Sequence, residues 1–456
     1  VAAPAATNSA AYLAELDAIK SVQTHLTSAQ RSSISYWSGG GVLRWNQIVR
    51  ELVARYNLPP APRDDGGYPV PDADNPFGDP AFPFANPVYA ARAYSYVSAA
   101  QYDALKSAWY WKFQYNRLSP AKIDNGINAL MPISNLPSYP SEDAVISGVT
   151  VEMLKVLFPA ALEEITLKAA EQRNAALWSG KATASDLAAG LALGKSVATL
   201  FLARAAGDGM RTAGGSPTLW KALADSATGR GELAWVSQDI PARPPMLPLF
   251  GQVRAWNMTP ADIVAERPGP PPSTSSQQMK DELAEVKRTA EHLTNAQLAI
   301  AQKWNDGAGT YSPPGHWNDV ALEYVRDQKM SEVRAARVFA LLNMAMHDAG
   351  VGCWEAKFHY FNPRPSQLDP SIKTQIGLPN FPSYTSGHST FSAAAASVLS
   401  YLFPSGTESF AAMRDEAGIS RLYGGIHYPS DISAGKAHGE RIAGYTLRFA
   451  QADGAQ

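Results

Sequence analysis

Three short strings between residues 357 and 431 gather side chains that could do chemistry together. The first, "KFHYFNPRP", sets Lys357 and Arg364 seven residues apart, and the second, "SGH", runs from Ser386 to His388. The third, "SRLYGGIHYPSD", carries Arg421, His427 and Asp431. Three cations, a hydroxyl, a glycine and two imidazoles suit a tetrahedral oxyanion. Lysine and arginine neutralise its charge, and the planar guanidinium adds bidentate geometry. Gly387, opening a helix, lets a backbone N–H approach an anion at the positive end of the helix dipole. One histidine can attack or ligate the central atom while the other exchanges a proton with one of its oxygens. Asp431, four residues after His427, is placed to hold the second ring nitrogen and fix the tautomer. Each string alone is commonplace, because Ser-Gly-His is an ordinary helix cap and Arg-Pro or His-x3-Asp is mostly structural. Their joint order and spacing carry the reading.

The elements that must present these groups are helices. Apolar residues three and four apart predict helices over 88–113, 142–157, 185–207, 280–304, 332–356, 387–402 and 430–450. Alanine is abundant and alternating β-branched runs are scarce. Gly- and Pro-rich segments such as 56–80 punctuate the pattern. Residues 241–276, from "PARPPMLPLFG" to "RPGPPPSTSS", are too long and proline-rich for a helix and are expected to wrap the surface or rim a site.

The chain also repeats itself. "ARAYSYVSAAQYDA" at 91–104 aligns with "ARVFALLNMAMHDA" at 336–349, and "PSY" at 137 and "LFP" at 157 recur at 382 and 402, all 245 residues on. "THLTSAQRSSISYW" at 24–37 aligns with "EHLTNAQLAIAQKW" at 291–304, 267 residues on. We read a duplicated unit and an all-α fold of two helical bundles about a pseudo-twofold axis. The division is a degenerate N-terminal bundle at 1–240, a Pro-rich connector at 241–280 and a catalytic bundle at 281–456. In the first copy Lys112 and Ser141 stand where Lys357 and Ser386 do, but Glu142 and Asp143 replace Gly387 and His388. Two carboxylates facing an oxyanion would repel it by several kcal/mol at low effective dielectric, and no Arg-x5-His follows in 150–240. One site per chain is expected.

K-x6-R-P, then S-G-H, then S-R-x5-H-x3-D resembles the signature of the type 2 phosphatidic acid phosphatase and vanadium haloperoxidase superfamily. Length and the paired-bundle plan are similar to the haloperoxidase branch. The resemblance implies that Lys357, Arg364, Ser386, Gly387 and Arg421 bind vanadate or phosphate. It makes His427 the vanadium ligand or the phosphate-accepting nucleophile, and His388 the acid–base residue. Trp354, three before Lys357, and Phe381, five before Ser386, fall at the substrate-pocket positions of haloperoxidases, Phe381 in the manner of chloroperoxidases. The segment "KWNDGAGTYSPPGHWND" at 303–319 resembles the family stretch whose aspartate pairs with the second motif arginine, which makes Asp306 the expected partner of Arg421. The implied cofactor is vanadate, with phosphate able to occupy the same site and neither haem nor flavin required. The implied reaction is oxidation of halide by hydrogen peroxide to hypohalous acid. The alternative is a metal-free acid phosphatase that hydrolyses phosphate monoesters through a phosphohistidine. Either is compatible with a homo-oligomer.

Composition narrows the partners. Of 456 residues 45% are hydrophobic and 18% charged, enough for a large core, and a net charge of −2 offers no basic surface for nucleic acid. No apolar run is read as reaching the roughly 18 residues of a membrane span. The opening "VAAPAATNSA" resembles the end left by signal-peptide cleavage, so a periplasmic or secreted location is expected. Cys353, in an apolar helical run, is expected to be a buried, inert thiol. His316, His347 and His359 are read as structural, His25, His292 and His438 as surface or helix-packing residues, and Asp103 and Asp348 as scaffold.

Overall fold

The computed structural model describes residues 1–70, 72–75 and 82–455. The expected break at 56–80 therefore lies partly outside the described residues, at 71 and 76–80. All regular structure among the described residues is helical. The early helices are α1 (Ala10–Gln23), α2 (Ser28–Trp37), α3 (Gly41–Tyr56), α4 (Pro87–Tyr115), α5 (Pro120–Ile123), α6 (Glu142–Leu157), α7 (Leu162–Trp178) and α8 (Ala184–Ala206). Two short ones, α9 (Pro217–Gly229) and α10 (Pro260–Ala265), precede the later set. That set is α11 (Gln277–Glu291), α12 (Asn295–Lys303), α13 (Ser312–Asp327), α14 (Glu332–Tyr360), α15 (Pro365–Leu368), α16 (Gly387–Leu402), α17 (Thr407–Tyr423) and α18 (Pro429–Ala452).

The predicted helices at 142–157 and 387–402 are α6 and α16 to the residue. The predicted helix at 280–304 is instead two. Thr294 Oγ1 accepts the Gln297 N–H at 3.2 Å while Gln297 Oε1 accepts the Thr294 N–H at 2.9 Å. This capping box starts a new helix and overrides the continuous apolar spacing. The periodicity also passed over α13, whose opening Ser-Pro-Pro-Gly-His has the composition of a loop. Proline is tolerated there because a first helical turn has no intrahelical use for its N–H.

The chain gathers into two compact units that interleave along the sequence. One comprises residues 1–52, 96–205 and 322–340, the other 53–95, 206–321 and 341–456. Neither coincides with a sequential stretch such as 1–240 or 281–456. The two units nevertheless use matching parts. Helices α4 to α8 begin at 87, 120, 142, 162 and 184, and α14 to α18 begin at 332, 365, 387, 407 and 429, so each pair is offset by 245. Contacts recur at the same offset. The Ser141 N–H donates to Asp186 O at 3.1 Å in the first unit, and the Ser386 N–H donates to Asp431 O at 2.9 Å in the second.

In the second unit α16 packs on α17 and α18. Alanines 393 to 396 and the glycines of α18 let the backbones approach closely. A Cβ at Gly435 would stand 2.7 Å from Ser386 O, and one at Gly439 would stand 2.2 Å from Thr390 O. That approach sets the start of α16 against the start of α18, and so brings the second and third motifs together. Gly439→Ala is expected to destabilise the fold by about 1–3 kcal/mol, because the clash is with backbone. Gly377→Ala, which meets nothing within 4 Å, is the control. Equal melting temperatures for the two variants would contradict the close packing.

The Pro-rich connector is not loose wrapping. It lies along α14: the Trp354 Nε1 donates to Met246 O at 3.1 Å, and the Asp348 carboxylate accepts the N–H groups of Trp256 and Asn257 at 2.7 and 2.8 Å. Gly251 sits where a Cβ would be 2.6 Å from Glu355 Cα. One expectation is corrected. Residues Ala184–Thr212 do form a stretch long and apolar enough to cross a membrane by length and composition. Gly190 and Gly194 on it press against Ser141 O and Val145 O of the α6 segment, so one face of the stretch packs on a neighbouring helix.

Candidate active site

The last turns of α14 deliver Lys357, and a left-handed residue, Phe361 (φ 55), turns the chain toward Arg364 at the start of α15. Lys357 Nζ donates to Pro382 O and Ser383 O, both at 2.8 Å. Arg364 donates through Nε to Phe381 O at 3.1 Å and through Nη1 to Ile426 O at 2.8 Å. Ser386 caps α16, its Oγ accepting the Ser389 N–H at 3.3 Å. Its hydroxyl proton and the first-turn N–H groups of Gly387 and His388 are left without intrahelical partners. Nothing stands nearer than 4.0 Å to where a Gly387 Cβ would be, and the atom at that distance belongs to the Trp354 ring. A cradle of donors therefore has open space at its glycine. Lys357, Arg364 and Ser386 are fully buried and Arg421 nearly so.

His427 precedes α18 and points into this cradle. Its Nε2 receives an N–H from Arg364 Nη1 at 3.0 Å, and its Nδ1 lies 2.8 Å from Asp431 Oδ2. An arginine can only donate, so Nε2 carries the lone pair and Nδ1 the proton. Ser383, which sequence reasoning missed, fixes the carboxylate by donating to Asp431 Oδ2 at 2.5 Å. It stands three residues before Ser386, in the phrase "PSY" that the chain writes twice. Burial first, then the charges of Arg364, Lys357 and Arg421, hold His427 far below the ordinary imidazole range. Its lone pair is available at neutral pH.

An aromatic wall backs the cations. Trp354 and Phe381 lie 4.8 Å apart by ring centroids, and the Phe381 ring is 5.0 Å from Lys357 Nζ and 5.1 Å from the Arg364 guanidinium carbon. Cation–π contact in this desolvated setting favours the charged forms.

Asp306 is a favourable charge neighbour of its expected partner Arg421, but its direct contacts go elsewhere. Arg421 gives its N–H groups to Trp304 O, to Asn305 O and to Ser420 Oγ. Asp306 turns instead to two histidines. Its oxygens lie 3.1 and 3.3 Å from His316 Nδ1, and Oδ2 lies 3.6 Å from His388 Nε2. The reason is local: Trp304 and Asn305 offer backbone carbonyls to the guanidinium, which frees the carboxylate. Burial raises the Asp306 pKa, but the bond from His316 and the nearby His388 ring outweigh it and hold the group at about 2. Burial, then Arg421, push His388 down to about 4. His388 is thus neutral near pH 7, able to accept a proton, and its side chain keeps 14% exposure in a site otherwise closed. His388 and His427 are near enough to influence each other's charge.

Of the remaining histidines, His347 and His438 are buried in helix packing, whereas His25 and His292 are exposed. Cys353 is buried beside Thr385.

Burial pushes Lys357 down to about 7, with Arg364 adding to the effect. A bound anion needs it charged. Above pH 7 the empty site must therefore take up a proton to bind, and affinity falls as pH rises, by at most about tenfold per unit. Calorimetry with dilute tungstate should show more proton uptake at pH 8 than at pH 7, the difference owed to Lys357. Identical heats in buffers of different ionisation enthalpy at pH 8 would count against a buried lysine in the cradle.

At the corresponding place in the first unit the charges are already spent on one another. Lys112 Nζ is 3.8 Å from Glu142, whose Oε1 accepts the Trp109 Nε1–H at 2.7 Å, and Lys181 pairs with Asp143 at 2.8 Å. The two carboxylates expected to repel an oxyanion are neutralised in place, and the position is closed by its own ion pairs.

Residues 337–454 match the family model described as the PAP2 superfamily. This stretch contains Lys357, Arg364, Ser386, Gly387, His388, Arg421, His427 and Asp431, while Asp306 lies outside it. No curated protein matches the chain in sequence. Among solved structures, a bacterial vanadium-dependent iodoperoxidase superposes with a TM-score of 0.60 at 24% identity, over 79% of this chain and 90% of that one. A holo-type bacterial vanadium-dependent chloroperoxidase gives 0.57 at 12% identity, over 84% and 96%. An apo-type bacterial chloroperoxidase gives 0.55 at 13%, over 79% and 93%. The PAP2 segment of this chain thus sits in a haloperoxidase-like all-α fold.

Proposed function

We propose that the chain is a vanadate-dependent haloperoxidase that uses hydrogen peroxide to oxidise halide to hypohalous acid. The observation that carries the reading is the His427 Nε2 lone pair, oriented by Asp431 through Nδ1 and facing a cradle of Lys357, Arg364 and the α16 N-terminus. This donor set suits a tetrahedral oxyanion with one nitrogen ligand better than a bare cation. His427 would hold the vanadium, and Lys357, Arg364, Ser386, Gly387 and Arg421 would hold the oxygens. When bound, vanadate supplies the Lewis acidity that activates peroxide toward two-electron oxidation. The chain's own part is to exclude water with Trp354 and Phe381, to spread negative charge over three cations, and to take a proton from the incoming peroxide on neutral His388. The protein fold of the superposed peroxidases supports this branch.

A second reading has its own support in the PAP2 match. The same lone pair could attack a phosphate monoester, forming a phosphohistidine at His427 as the P–O bond to the alcohol breaks, with His388, protonated at acid pH, giving its proton to the leaving oxygen. Residues 1–240 are, in this proposal, a duplicated bundle that has kept the packing and lost the chemistry, as the common 245-residue offset supports. A paired assay on cofactor-free protein separates the two activities. One aliquot receives orthovanadate, peroxide and iodide or bromide; the other receives a phosphate monoester. Halide oxidation only in the first supports the peroxidase, and hydrolysis only in the second replaces it with the phosphatase.

A further inference from the structure

One imidazole at the site has no part in this chemistry. His316, in the first turns of α13, sets Nδ1 against both oxygens of Asp306, at 3.1 and 3.3 Å, while the same carboxylate lies 3.6 Å from His388 Nε2. Its surroundings are ordered around that bond. The His316 ring lies flat on Trp304, with centroids 4.1 Å apart and planes at 16°, and Tyr311 meets it edge-on. Trp304 is in turn pinned by Nε1 to Glu416 at 2.7 Å. Asp306 adopts a left-handed conformation, φ 45, which few residue types take readily. The loop after it is tied down by Asn57 Nδ2, which donates to Gly307 O and Thr310 O at 3.0 Å each.

One carboxylate that serves two imidazoles is divided between them. We propose that His316 is a positioning residue for the acid–base step: by engaging Asp306 it keeps the carboxylate near His388 without letting the two close into an ion pair. The inference rests on the reading of His388 as the acid–base group. The charged and titratable groups around the pair are Arg421 and His427, which face His388 from α17 and from the turn before α18, and Glu416 with Lys303 beyond Trp304. Removing His316 leaves the full negative charge of Asp306 to His388, which must then hold its proton more tightly. Removing the charge of Asp306 must do the opposite.

The test follows the His388 ring by NMR through a pH titration of the cofactor-free chain. His316→Phe keeps a ring for Trp304 to stack on and removes the donor. It should raise the His388 titration point by about one unit, the low end of the effect of a nearby charge. The acid limb of the turnover–pH profile should move up with it, while affinity for tungstate stays the same. Asp306→Asn should lower the titration point. His316→Gln, which can still donate to Asp306 but cannot titrate, should stay near the parent value. A folded His316→Phe whose His388 titrates unchanged, or His316→Phe and Asp306→Asn moving His388 the same way, overturns the proposal. Should His316→Phe not fold, a His316→Gln variant that shifts His388 as far upward as Asp306→Asn shifts it downward overturns it equally. Because the titration is read without vanadate, halide or ester, its outcome is separate from whether the chain proves a peroxidase or a phosphatase.

Discussion

His427→Ala is expected to abolish retention of vanadate, whereas His388→Ala should still bind it and lose turnover by about 10²- to 10⁴-fold, the usual contribution of a general acid–base group. The difference follows from position. His427 offers its Nε2 lone pair to the cradle, held there by Asp431 at 2.8 Å and with Arg364 at that nitrogen. His388 lies in the first turn of α16 with its ring directed to Asp306, so its loss removes a proton acceptor and leaves the cations in place. Titrating orthovanadate into each variant and then assaying iodide oxidation reads both effects. In the phosphatase reading the same pair differs in another way: His427→Ala forms no phosphoenzyme, while His388→Ala can still form one from an ester with a good leaving group. A His427 variant that keeps vanadate, or a His388 variant with full turnover, would show the roles to be misassigned.

The second large effect belongs to the cations. Lys357→Ala, Arg364→Ala and Arg421→Ala should each weaken vanadate or phosphate binding by about 3 to 4 kcal/mol, the cost of losing one preorganised donor in a secluded site. All three side chains are buried and hydrogen-bond only to carbonyl, hydroxyl or imidazole groups, with Asp306 and Asp431 acting on them as nearby charges and not as direct ion-pair partners. Lys112 has the same residue type and the same place in α4 as Lys357 in α14, yet its charge is met by Glu142 at 3.8 Å. Lys112→Ala should therefore lower the melting temperature and leave anion affinity unchanged. Equal affinity losses for Lys112→Ala and Lys357→Ala in one calorimetric series would mean a second anion site.

The sequence by itself determined the all-α class and several of the long helices, and it named the side chains of the cradle. Small-residue and apolar periodicity outlines α6 and α16 without error, and the motif lysine, arginines, serine, glycine and histidines meet as their spacing implied, because each sits at a helix end where a two- or three-residue string fixes its direction. What the sequence could not determine were partnerships between distant segments. Nothing in "KWNDGAGTYSPPGHWND" says that Asp306 prefers His316 and His388 to Arg421; that choice depends on Trp304 and Asn305 presenting carbonyls to the guanidinium. Likewise Glu142 and Asp143 read as bare repulsive charges until Lys181, 38 residues away from Asp143, is seen paired to it. The connector read as a surface wrap or the rim of a site, and which of its residues meet α14 (Met246, Gly251 and Trp256) was not legible. Hydrogen bonds and ion pairs are short-ranged and are satisfied by whichever group the fold brings within about 3 Å, so their pairing is a property of the tertiary structure even where every participating residue type can be read in advance.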